Sequence, residues 1–73
     1  MTTILSKEER TQIVNSHKKN LAMNQYNLTI SIIVENAKVT PDETSLTSLN
    51  DQVAVIDTQM EALDAELILI ESE

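Results

Sequence analysis

From Leu46 to Ile70 the apolar positions recur at alternating steps of three and four: Leu46, Leu49, Val53, Ile56, Met60, Leu63, Leu67 and Ile70. With Leu46 at heptad position a, every a and d position is aliphatic or Met, the pattern of a helix with a coiled-coil seam. Just upstream, Thr40 and Glu43 have the spacing of a capping box, in which side chain and backbone exchange hydrogen bonds at a helix start. Pro41 suits the first helical position, where its missing N–H costs nothing. The pattern predicts a helix over about 41–71. Outside the seam, Val55, Ala62 and Leu69 fall at heptad position c, with Ala54, Ala65 and Ile68 nearby, which makes a second apolar stripe.

The first half reads as a helix over about 7–36. Ser6 and Glu9 form another capping-box pair, and Glu8 and Glu9 lie in the first turn, where the helix dipole favours acids. At 100° per residue, Val14, His17, Leu21, Leu28 and Ile32 gather on one face. Met23, Tyr26, Ile30, Ile33, Val34 and Ala37 gather on the opposite face. Within this helix, Tyr26, Leu28, Ile30, Ile32 and Val34 also alternate with mostly polar residues, which is the period of a strand. No second strand or hairpin turn is present to pair with it, and an isolated strand is not stable, so the segment is assigned to helix.

Residues 37–40 form the expected connection. Asn36 is suited to a left-handed helix end, and Lys38 to the negative end of the helix dipole. A link this short makes the two helices antiparallel neighbours. In such a hairpin, residues whose numbers total about 77 lie side by side, pairing Leu28 with Leu49, Leu21 with Ile56 and Val14 with Leu63. The expected fold is all-α: a coiled-coil-like antiparallel two-helix hairpin. Val14, Leu21 and Leu28 close its seam against the a and d residues of the second helix.

Composition narrows the function classes. The chain has 73 residues with no Gly and a single Pro, which disfavours all-β folds and phosphate-cradling loops. It has no Cys and one His, so disulfides are absent and a conventional zinc site is not expected. Tyr26 is the only aromatic residue, so bases have no stacking platform. The net charge of −7 argues against direct nucleic-acid binding. That charge is uneven. Residues 1–40 carry five basic against three acidic side chains, whereas residues 41–73 carry nine acidic side chains and no basic one. In the antiparallel arrangement Lys7, Arg10, Lys18 and Lys19 come beside the segment Asp57 to Glu71. No stretch approaches the roughly 20 apolar residues of a membrane span, and no signal peptide is evident. A soluble protein of an intracellular or virion assembly is the expectation. Asn27-Leu28-Thr29 matches a glycosylation sequon, which has no bearing without a secretory signal.

Three groups bear on chemistry. His17 has no Ser, Asp or Cys partner at a telling spacing and is read as a seam residue beside the acidic half of the second helix. Asp57, Glu61 and Asp64 run along one side of that helix. Without Glu-x-x-His pairs they read as a solvated face opposite Lys18, Lys19 and Arg10, not as a metal or acid–base site. Met23 and Met60 read as core filler, and Tyr26 as an interface anchor among aliphatic neighbours.

No catalytic residue and no cofactor are expected. The expectation is a protein-interaction or assembly module, a homo-oligomer or part of a hetero-assembly. Its seam is the set of a and d residues above. Its partner surface is Met23, Tyr26, Ile30, Ile33 and Val34 with Val55, Ala62 and Leu69. The alternative is an acidic decoy that covers a basic, nucleic-acid-binding surface of another protein.

Overall fold

The computed structural model describes residues 4–73. It consists of two helices, α1 (Lys7–Asn36) and α2 (Glu43–Glu71), packed on each other as an antiparallel hairpin. The molecule is a rod with extents of 56 × 17 × 15 Å.

The start of α1 follows from its sequence. The Ser6 side chain accepts from the Glu9 amide and the Glu9 carboxylate accepts from the Ser6 amide, both at 3.1 Å. These bonds satisfy donors that have no partner inside the helix. The helix then runs unbroken through the segment with strand-like alternation. Within it, Thr29 and Ser31 turn their hydroxyls back onto the carbonyls of Gln25 and Asn27, at 3.0 and 3.2 Å. Their polar groups are thus satisfied inside the helix instead of competing with it.

The turn departs from expectation at three points. Asn36 does not take a left-handed conformation, and no non-Gly residue among those described has positive φ. Instead the chain tightens at Ala37 (φ −79°, ψ −9°), whose amide donates to the carbonyls of Ile33 and Val34. Thr40 is not the cap of α2, and Pro41 is not its first residue. The cap is Asp42, whose carboxylate accepts from the amides of Thr44 at 2.9 Å and Ser45 at 3.3 Å. Asp is the stronger capping residue, and starting there leaves Pro41 in the connection before the helix. The connection therefore covers residues 37–42. The second bond of a capping box is supplied from α1, because the Glu35 carboxylate accepts from the Asp42 amide at 3.0 Å. Glu35 also pairs with Lys38 at 3.0 Å, so one side chain ties the end of α1 to the start of α2.

The later start of α2 moves the register. Gln25 donates to the Val53 carbonyl at 3.2 Å and to the Asp57 carboxylate at 2.7 Å, which sets it level with Ile56. Carried along the heptads, Leu28 stands level with Val53, Leu21 with Met60 and Val14 with Leu67. Each differs by one helical turn from the pairing that the sum of 77 implies.

Candidate interaction surface

Burial along each helix locates the contact between them. On α2, Leu46, Leu49, Val53, Met60, Leu63 and Leu67 are half-buried, and Ile56 and Ile70 are buried. On α1 the shielded positions are Arg10 and then, at steps of three and four, Thr11, Val14, Lys18, Leu21, Gln25, Leu28, Ile32 and Glu35. More than half of the shielded α1 positions are therefore polar. Lys18 is half-buried at a seam position and carries its ammonium to Asp64. Gln25 bridges to Val53 and Asp57. Lys18, Gln25 and Glu35 escape a hydrophobicity pattern as seam members because their side chains are polar. The signal was their spacing, in step with Val14, Leu21 and Leu28.

His17 is not in the seam. It is exposed on the outside of α1, one position away from Lys18, which occupies the seam. The ion pairs are also redistributed. Arg10 forks onto both oxygens of Glu73, with Nη1 to Oε2 at 2.7 Å, and Lys7 reaches the main-chain oxygens of Glu71 and Glu73. Among the described residues, Lys19 and Glu61 have no ion-pair partner. These contacts shift the ionisation of the groups involved. The Arg10 hydrogen bonds hold the Glu73 carboxyl below its ordinary range and, reciprocally, raise Arg10. The Asp42 amide, then Lys38, lowers Glu35, and the Ser6 backbone and hydroxyl lower Glu9. Each shift stabilises the charged form, so these are structural contacts and not poised acids or bases. Among the described residues no cluster of three or more His or acidic side chains could hold a metal, and no helix is long and apolar enough to cross a membrane.

Searches of the chain against family models, curated proteins and solved structures match nothing.

The notable surface is apolar. Met23, Tyr26, Ile30, Ile33 and Val34 are all exposed, with Tyr26 at 64% and Ile33 at 57%. They recur at steps of three and four, and Met23 and Ile30 lie diametrically opposite the seam, so they form an apolar outer edge on α1. On α2, Val55, Ala62 and Leu69 are exposed as well, with Ile68 beside them. They form an outer edge on the other side of the rod. Between the helices, on one flank, Asn24, Asn27, Asp51, Gln52 and Val55 line a groove of about 980 Å³ floored by Leu28 and Ile56. Asp57, Asp64 and Glu71 lie on the opposite flank, one heptad apart.

The core is correspondingly thin. Only Val14, Ile56 and Ile70 are buried apolar side chains among the described residues. The chain exposes 5557 Å². A compact monomer of its 8.2 kDa mass exposes about 4,500 Å² by the usual surface–mass scaling. The excess, roughly 1,000 Å², compares with the ~800 Å² that one partner contributes to a standard interface.

Proposed function

We propose that this protein is a helical interaction or assembly module whose outer edges are covered by another polypeptide in its working state. The observation that carries this reading is the exposed edge of Met23, Tyr26, Ile30, Ile33 and Val34, on the side of α1 where its own partner helix cannot reach. Soluble monomers seldom leave contiguous apolar surface of this kind in water. A hairpin with so few buried side chains also gains stability when a further helix completes its core. Tyr26 supplies the amphipathic ring that interfaces favour as an anchor.

The uncompensated carboxylates support a second reading, the acidic decoy. Ion pairs among the described residues engage Glu35, Asp64 and Glu73 and leave Asp51 and Glu61 outside any pair.

The two readings separate in one experiment. The protein is recovered from its native source under non-denaturing conditions, the mass of the intact complex is measured, and Tyr26 accessibility is read by acrylamide quenching of its fluorescence. The assembly reading predicts a species heavier than one chain, with Tyr26 shielded and binding little changed by moderate salt. A complex that dissociates steeply with ionic strength while Tyr26 stays open to quencher favours the decoy, because exposed charge pairs are screened and apolar contacts are not. A lone chain with Tyr26 open overturns both.

A further inference from the structure

We infer that the partner on these edges is a second copy of this chain, joined head to tail: the outer edge of α1 in one copy packs against the outer edge of α2 in the next. This rests on the interaction-module reading and names the partner of the same surface.

The two edges lie on different helices of the rod. The α1 edge carries Met23, Tyr26, Ile30 and Ile33, and the α2 edge carries Val55, Ala62, Ile68 and Leu69. A contact between two α2 edges is disfavoured by charge. Joining α2 to α2 would bring together segments that hold only acids, since residues 41–73 contain nine acidic and no basic side chains. Joining α1 to α2 repeats the complementarity that already orients the hairpin, where Arg10 meets Glu73 and Lys18 meets Asp64. The residues bordering the edges match in the same sense. Lys19 borders the α1 edge and Glu61 borders the α2 edge, and both lack an ion-pair partner within the hairpin among the described residues. The surface exposed beyond that of a compact monomer, roughly 1,000 Å², covers one partner's share of about 800 Å² at one edge, so a copy engaged at both edges makes contacts smaller than the standard size. Because a different edge is used on each copy, the contact is heterologous. Every copy added leaves one α1 edge and one α2 edge free, so association continues into a ring or an open array.

Sedimentation velocity on the full chain and two edge variants tests this. Ile30→Glu with Ile33→Glu disables the α1 edge, and Val55→Glu with Leu69→Glu disables the α2 edge. All four positions are exposed, so each variant is expected to keep its helicity by circular dichroism. The wild type should give a series of species that grows past the dimer as concentration rises. Each variant alone should be a single chain, and an equimolar mixture of the two should give a 1:1 heterodimer through the one contact that remains. A milder pair guards against misfolding: Lys19→Glu and Glu61→Lys should each weaken association, by up to about fivefold, and their mixture should recover part of the loss. A wild type that stops at a closed dimer, or variants that fail to complement each other, overturns the head-to-tail contact while leaving the interaction-module reading intact. A monomeric wild type recovered from its source on a different protein does the same. A lone chain with Tyr26 open in the recovery experiment defeats the underlying reading itself.

Discussion

Replacing Ile56 by Ala tests the packing account where it is most exposed to error. Ile56 is buried, with 8% of its surface accessible, and lies level with Gln25 in the middle of the seam. The change removes three carbons. At about 0.8 kcal/mol per buried methylene, the transfer loss is about 2.4 kcal/mol. The usual extra penalty for an internal cavity is small here, because Ile56 floors an open groove that the neighbouring side chains and water can fill. The expected cost is therefore about 2.5 kcal/mol. Total stability for a domain of this length is about 4–11 kcal/mol. Urea unfolding followed by far-UV circular dichroism reads the effect. With a slope of about 1 kcal/mol per molar, suited to so small a chain, the midpoint should fall by about 2.5 M. Ile13→Ala is the matched control, because Ile13 is 47% exposed on the outside of α1. It should cost less than about 0.5 kcal/mol, since Ala's helix propensity offsets the small area lost. If the two substitutions cost the same, or Ile56→Ala costs under about 1 kcal/mol, the seam does not hold the hairpin together in the way argued here.

Further consequences follow from the turn and from the polar seam residues. Asp42→Ala should cost about 1 kcal/mol through the lost cap, whereas Thr40→Ala should change stability by less than about 0.3 kcal/mol; reversal of that order in thermal melts would place the start of α2 at Thr40. Glu9, Glu35 and Glu73 have folded-state pKa values below the ordinary 4.5, so the folded protein holds its protons less tightly than the unfolded chain. Their stabilisation is fully present above that value and is lost as pH falls through the lower folded values. Glu35→Gln should accordingly flatten the acid limb of a melting-temperature profile, and an unchanged slope would remove Glu35 from its tying role. Gln25→Leu should raise stability by about 1 kcal/mol, because a polar residue at a seam position costs stability while fixing register. It should also loosen that register, seen as weaker amide protection around Val53 in hydrogen exchange, and undiminished protection would refute the register role.

The α2 seam is legible residue by residue, because an apolar side chain every three or four positions has one helical explanation and a fully apolar stripe leaves no competing choice. The same reasoning reads only half of α1. There Lys18, Gln25 and Glu35 hold seam positions that a hydrophobicity pattern skips, and Lys18 occupies the seam position that the pattern assigns to its neighbour His17. A long side chain with an aliphatic stem can serve an apolar contact and still reach a carboxylate on the far helix, and that reach becomes visible only once register is fixed. Register itself depended on the turn. Thr40 and Glu43 satisfy the local capping pattern, but Asp42 offers the stronger cap, and Glu35 completes it from another helix, a contact with no signature in local sequence. Two residues of difference at the helix start were enough to set the facing pairs one turn apart. The outer edges, by contrast, are readable in advance: Met23, Tyr26, Ile30, Ile33 and Val34 lie opposite Val14, Leu21 and Leu28 on the helical wheel, and their exposure follows from that angle.

The central claim is that the apolar edges of the hairpin take a second copy of this chain. Sedimentation equilibrium of the wild-type protein across the micromolar range tests it most directly. The account predicts an average mass above the 8.2 kDa of one chain that rises with concentration, and a mass near one chain for Ile30→Glu with Ile33→Glu. A well-folded wild type that stays at 8.2 kDa up to high micromolar concentration would contradict self-association.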